Sequence, residues 1–459
     1  MNRMRPTPPA KPGVGWAALA FFASSLAGAE PIDLKGAVTR ALESEAEYRS
    51  VRAELEAVRE EKARARAGLL PTLSASGTHT DNDAERTFAD GSSDDPNYTS
   101  FQYSLTLKQP ILRRDNWVKY RQAGTRIASA EQQADTERIK LVLDVSEQYL
   151  DCLYADAVVR FAQAEVTALE GLLTAVTRGF AAGTSTRTDI LDAEARLDAA
   201  RVRLIEASQL TDSARRALES STGRPVSAIH PIVQERLVLQ DPQLRIRDWR
   251  DAALRDNPEV RAAQFNVDLA RQEVQLQQAG HYPSLDLVVQ QQHSESDSIS
   301  TLDVESRITL WGVQFNVPLY SGGLVNASTR QAGSRLARAQ AELDAKREEV
   351  SLRTARAVEA LLADSQRVQA LSRAEASSVA ALIGTEKGLQ AGTRSFVDVL
   401  NARQQLFEVQ QSRARANADF ILALLNLKAA AGLADDSAID EANAFLAPEA
   451  SVVFPALAE

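Results

Sequence analysis

Cysteine is nearly absent from this sequence. Cys152 stands alone among 459 residues, so no internal disulfide can form. Histidine is scarce too: His79, His230, His281 and His293 have no metal-ligand spacing, and no His-Glu-x-x-His pair or glycine-rich phosphate loop occurs. Nothing is left to carry metal, nucleophilic or phosphoryl chemistry. An enzyme is therefore the least supported class, with no catalytic residue, metal site or cofactor expected. Aromatic residues make up only 5%, which argues against a large globular core built on Phe and Trp. Beyond residue 29 no apolar run approaches the ~20 residues of a transmembrane helix. Basic residues are outnumbered 52 to 62, and an acidic chain is a poor nucleic-acid binder.

The first 29 residues read as a secretory leader. Arg3, Arg5 and Lys11 precede an apolar stretch at 14–26, and Ala27-Gly28-Ala29 supplies the small-x-small cleavage pattern. Cleavage there removes three positive and no negative charges, taking the formal charge from −10 to −13. Cys152 lies far from this site, which excludes a lipid-anchor role, and it is expected to pack as a small apolar residue.

Proline is missing from two long stretches, 111–224 and 319–447. It is excluded from helix interiors because it has no N–H and clashes with the preceding turn. Each stretch is interrupted once, by an Ala-Gly-Thr segment, and so reads as helix, tight turn, helix. The long helices, 115–180 and 325–390, have 66 residues each, or ~99 Å. Shorter helices are expected at 188–222, 397–431, 33–68 and 247–279, the last restarting at Pro258. Two short helices end to end match one long one.

The two stretches are copies of one plan. The sixteen residues from Arg178 to Ala193 recur from Lys387 to Ala402, offset by 209, with seven identities. Pro71 with Pro283, Pro110 with Pro318 and Gly223 with Gly432 keep nearly the same offset. Ala193, Leu197, Ala200, Leu204, Ala207, Thr211, Ala214 and Leu218 recur at spacings of four and three, the pattern of coiled-coil packing. The equivalent row in the second half is broken by Arg413, so that face is not expected to be fully dry.

Between the helices of each half the period changes to two. Phe101, Tyr103, Leu105 and Leu107 alternate with polar residues, as do Trp311, Val313, Phe315 and Val317 with Gly312, Gln314 and Asn316. Alternation predicts strands, with 73–77 and 285–290 as weaker partners. Their connections, 81–97 and 293–306, are polar and acidic. A soluble hairpin with one buried face shows the same alternation. In an exported chain with rods on either side, it fits a membrane barrel with a wet lumen. Four strands cannot close a barrel, and lipid forbids open sheet edges. Two copies would give eight strands with a filled interior; three would give twelve and a channel.

At the far ends of the rods, Thr186 with Asp189 and Ser395 with Asp398 read as capping boxes. Gly183 and Gly392 sit where each long helix needs a left-handed stop. Capping alone accounts for both acids; in a closed trimer, copies of Asp189, Asp192 and Asp398 would also face one axis.

The segment from Leu389 to Ala402, with Gln109-Pro-Ile111, the segment from Val317 to Gly323 and Asn426-Leu-Lys-Ala429, resembles the TolC family over essentially the whole mature chain. The resemblance implies a mainly α fold with a membrane β-barrel portion. In it, two tandem repeats each give one hairpin and long coiled-coil helices, and a homotrimer forms a twelve-strand barrel and a twelve-helix tunnel. It further implies an outer-membrane channel for type I secretion or multidrug efflux, reaching into the periplasm. Its partners would be outer-membrane lipid, a periplasmic adaptor, and an inner-membrane ABC or RND transporter, with no nucleic acid. By position the family's gate falls on Thr188, Asp189, Arg394 and Asp398. Asn401 takes the family's second acidic ring position, Asp192 its partner in the first half, and Leu389 replaces a tyrosine. Gly183, Thr184, Gly392 and Thr393 would form the docking turns. The chain then divides into a leader (1–29), a first repeat (30–223; hairpin 72–110, tip turn 181–188), a linker (224–247), a second repeat (248–432; hairpin 284–318, tip turn 390–397) and a tail (433–459). Linker and tail are expected to form a belt around the tunnel. The alternative is a periplasmic coiled-coil adaptor or scaffold, which would have no lipid-facing strands.

Overall fold

The computed structural model describes residues 31–237 and 245–454. The leader expected over 1–29 and Pro242 of the linker lie outside them. The first half contains α1 (Leu34–Ser44), α2 (Ala46–Ala67), β1 (Thr72–Asp83), β2 (Arg86–Thr87), β3 (Ser93–Asp94), β4 (Asn97–Leu112), α3 (Arg114–Ala181) and α4 (Arg187–Thr222). After β5 (Ala228–Ile229), the second half gives α5 (Ile246–Asp256), α6 (Pro258–Gln278), β6 (Ser284–Glu295), β7 (Glu305–Asn316), α7 (Leu324–Gln390) and α8 (Phe396–Ala430). The tail adds α9 (Asp436–Asn443) and β8 (Val452–Val453).

The rods form as the proline gaps require: α3 has 68 residues and α7 has 67, each ~100 Å long. They run through two tiers. Near the sheet the packing order is α2, α3, α6, α7; toward the turns it is α4, α3, α8, α7. The sheet repeats the upper order, β1-β4-β6-β7, antiparallel throughout, so each strand continues one rod. Among the described residues no helix is long and apolar enough to cross a membrane.

One expected helix is two. The segment 33–68 breaks at Glu45, whose ψ of 124° leaves the helical region. The break turns α1 inward, burying Leu34, Ala37, Val38 and Ala41, while α2 buries no residue. A paired feature in each half holds the break. Ser44 Oγ donates to Ser221 O at 2.8 Å, and Asn257 Nδ2 donates to Ala430 O at 2.9 Å. Against each break packs a left-handed glycine, Gly223 (φ 67°) or Gly432 (φ 76°). A Cβ on Gly223 would meet Ser44 Cβ at 2.7 Å, and one on Gly432 would meet Asp256 O at 2.6 Å.

Linker and tail join in a small sheet of β5 with β8, to which Ile32 adds a parallel bridge. Tyr149 of α3, fully buried, anchors it: its hydroxyl lies 3.1 Å from the carbonyls of Ile32 and His230 and accepts from His230 N–H at 2.9 Å. The principal hydrophobic core sits at this level, with α1, α3, α4, α7, α8 and α9 all contributing. Cys152 is buried in it, and burial pushes its thiol pKa up to about 12, so it packs as an inert apolar residue. Arg413 keeps its face from being dry, as expected: partly exposed, it ion-pairs with Glu375 of α7 and donates to Gln234 at 2.5 Å.

Register assigns the faces of the four-stranded sheet. Phe101, Tyr103, Leu105 and Leu107 share one face with Leu287, Val289, Trp311, Val313 and Phe315. That face is open: Trp311 is 81% exposed and Phe315 65%. Ser74, Ser76, Gln102, Ser104, Thr106, Gln290 and Gln314 lie on the other face. The twelve residues of β6 and of β7 exceed the roughly 9–11 that a tilted strand needs to cross a bilayer. The first connection is not a plain loop. β2 and β3 pair within it, and Arg86 holds Asp94 through two bonds of 3.0 and 2.6 Å. At the opposite end Asp286, nearly buried on the polar face, joins sheet to rods. It accepts from Arg113 at 3.0 and 2.5 Å and lies 3.1 Å from Lys108 Nζ.

Candidate functional site

The two turns at the far ends of the rods are built on the same closing bonds, the second adding one from Arg394 N–H to Gly388 O at 3.2 Å. At the end of α3, Gly183 (φ 77°) takes the left-handed position; its N–H bonds Phe180 O at 3.0 Å and Thr184 N–H bonds Gly179 O at 2.8 Å. At the end of α7, Gly392 (φ 73°) bonds Leu389 O at 3.0 Å and Thr393 bonds Gly388 O at 2.8 Å. These are Schellman closures, which satisfy the last carbonyls of each rod. The hydroxyls of Thr184 and Thr393 add a bond of 3.1 Å each to Gly179 O and Gly388 O. Gly179 and Gly388 escaped the sequence reading. A Cβ on the first would meet Ser185 Oγ at 2.5 Å, and on the second Arg394 Cγ at 2.6 Å, so both let the turn fold back on its own helix. Their signal was their shared place in the repeat.

The next helices start with capping boxes. Thr186 Oγ1 accepts from Asp189 N at 3.1 Å while Asp189 Oδ2 accepts from Thr186 N at 2.7 Å. Ser395 Oγ accepts from Asp398 N at 3.2 Å while Asp398 Oδ2 accepts from Ser395 N at 2.9 Å. The Ser395 backbone bond, then its hydroxyl, hold the Asp398 carboxyl below the usual range, with a smaller contribution from the Arg394 charge. A depressed acid stabilises fully above its ordinary pKa and loses that effect only as pH falls through the lowered value. Acidification toward pH 5 therefore leaves this cap intact.

Of the expected gate residues, the chain brings Asn401 into a cross-link. Arg196 of α4 donates to Asn401 Oδ1 of α8 at 2.9 Å and to Gln404 Oε1 at 3.4 Å. Arg196 was not singled out from sequence, because nothing local marks its partner 205 residues away. Thr188, Asp192 and Arg394 are exposed, and among the described residues neither Asp192 nor Arg394 forms an ion pair. Arg394 lies near Asp398 without pairing with it. Beneath the turns Phe396 and Leu400 of α8 pack with Ile190 and Leu197 of α4 and Leu169 and Val176 of α3, so the two turns rest on one apolar floor. Among the described residues no group of His, Cys, Asp and Glu could hold a metal ion.

The outer membrane efflux protein family matches residues 37–224 and, a second time, 249–433. The chain belongs to this family. It is similar to the alkaline protease secretion protein AprF of Pseudomonas aeruginosa, 29% identical over 405 residues covering 87% of this chain and 84% of AprF. The proteases secretion protein PrtF of Dickeya chrysanthemi is 30% identical over 418 residues, 89% of this chain and 90% of PrtF. A solved structure of CusC shares the fold, with a TM-score of 0.77 at 17% identity over 87% of this chain and 92% of that one. This TolC-family chain is thus an outer-membrane channel protein and not an enzyme. The outward apolar sheet face, which an adaptor or scaffold would not present, agrees with that placement.

Proposed function

We propose that three copies of this chain close into a passive exit duct running from the outer membrane across the periplasm, shut at its far end by the paired turns. One observation carries the reading: the sheet β1-β4-β6-β7 has an apolar outer face and two unpaired edges, β1 and β7. Unpaired backbone groups in lipid cost several kcal/mol each, so β1 of one copy pairs with β7 of the next until the ring closes. Eight strands would leave an interior filled by side chains; twelve leave a water channel. Three copies of the two-tiered layer then wall a tunnel ~100 Å long.

The names of AprF and PrtF support protein secretion, by the type I route, as the duty of this duct, and the family description and the relative BepC of Brucella suis support efflux beside it. An inner-membrane ABC or RND transporter and a periplasmic adaptor would recruit the duct at Gly183, Thr184, Gly392 and Thr393. Arg394 and Asp192, which form no ion pair among the described residues, would bond across to neighbouring copies. With Thr188, Asp189, Asp398 and Asn401 they would form the gate, which opens like an iris as those bonds break.

The test is conductance in planar lipid bilayers. Replacing Asp189 and Asp398 with serine weakens both caps and removes two acids from the constriction. Single-channel conductance is expected to rise severalfold with assemblies intact. Unchanged conductance would leave both acids as helix caps only.

A further inference from the structure

The outward face of the sheet ends in a pocket for which the duct has no use. Leu112 pairs with Leu285 across the irregularity between Pro110 and Leu112, and Leu285 pairs with Phe315. Leu112 therefore lies on the apolar outer face, above the point where the rods begin. Beneath it Arg114, Trp117, Arg121 and Tyr282 join Leu112 around an open cavity of about 520 Å³.

The charge in this cavity is uncompensated. The Arg114 guanidinium stacks 4.1 Å above the Tyr282 ring, and among the described residues it has no ion-pair partner. Arg121 donates to the neutral Gln275 Oε1 at 2.8 Å and likewise meets no carboxylate. Asp115 is paired with Lys119 at 3.2 Å and Asp286 with Arg113 and Lys108, while Glu273, the carboxylate beside Gln275, accepts from Gln122 at 3.1 Å and Gln277 at 2.7 Å. Trp117 stands 55% exposed beside them. Tyr and Trp favour the boundary between acyl chains and water, Arg presents a fork that matches phosphate oxygens, and basic pockets beside membrane spans hold anionic headgroups. The pocket also lies where no second copy reaches. It sits below β4 and β6, the inner strands of the sheet, midway between the edges at which copies would join.

We propose that this pocket binds a phospholipid of the periplasmic leaflet. Arg114 and Arg121 hold the headgroup phosphate, Tyr282 and Trp117 wall it, and the acyl chains run along Leu112, Val313 and Phe315. The site rests on the reading of the sheet as a bilayer-embedded barrel wall.

Full-length assemblies are first floated with liposomes of phosphatidylethanolamine and phosphatidylglycerol. They are then extracted into detergent and weighed intact by native mass spectrometry against added phosphatidylglycerol. The wild type is expected to retain one tightly bound lipid per chain. The Arg114→Gln/Arg121→Gln variant should need roughly tenfold more lipid or above, at unchanged assembly mass, and Trp117→Ala should also retain less. Equal retention by wild type and double variant overturns the site. So does stripping of the lipid by millimolar inorganic phosphate, which marks a free-anion site. A wild type that fails to float overturns the bilayer reading itself, a different result from flotation with unchanged retention.

Discussion

Alanine at Gly432 is expected to destabilise the protein by about 3 kcal/mol, from a left-handed strain of ~1–2 kcal/mol and forced displacement of packed backbone. Its φ of 76° already disfavours any side chain. The added methyl would meet Asp256 O at 2.6 Å and Asn257 Cα at 2.7 Å, neither of which can rotate away. The same methyl at Gly183 meets nothing within 4 Å, so Gly183→Ala should show the backbone strain alone, ~1 kcal/mol. Heat dissociation of detergent-extracted assemblies separates the two. Gly432→Ala should dissociate at a clearly lower temperature or fail to accumulate, while Gly183→Ala stays close to wild type. Equal behaviour of the two variants would mean that the contact between the end of α8 and the break before α6 is not what holds the two tiers together.

The second large effect is expected at Asp286. Its side chain is 4% exposed and lies against two cations, Arg113 and Lys108. Removing one partner of a buried ion pair typically costs 3–5 kcal/mol because the remaining charge is left uncompensated. Arg113 and Lys108 are partly open to solvent, so ~2–3 kcal/mol is expected for Asp286→Ala. Asp286→Asn keeps an acceptor for Arg113 and should cost less. The measurement is the denaturant midpoint of folded sheet signal by circular dichroism. A midpoint unchanged in Asp286→Ala would show that the joint between sheet and rods is held by packing alone.

Much of this architecture is legible in the residues because it depends on local rules. Absent proline and one Ala-Gly-Thr interruption locate each rod and its turn to within a residue or two. Period-two alternation around Phe101–Leu107 and Trp311–Val317 locates the lipid-facing strands. The hydroxyl–acid spacing of Thr186 with Asp189 and Ser395 with Asp398 gives the caps, since these bonds span only three residues. The hidden features depend on distant partners. Glu45 carries no helix-breaking residue type; it breaks because α1 must turn into the core. Only its alignment with Asn257, 212 residues on as Pro283 is from Pro71, could have revealed it. β5 and β8 have two residues each, too few for any periodicity. The Arg196–Asn401 bond and the Asp286 cluster join segments that sequence spacing cannot bring together.

The proposed pore, gate and lipid site all require closure shared among copies. Electron cryomicroscopy of the mature protein in lipid nanodiscs tests it most directly. Views down the long axis should show a three-fold ring of twelve rods around an open centre, continuous with twelve strands in the bilayer. A single copy stable in the disc, or a three-fold particle with a filled axis, would contradict it.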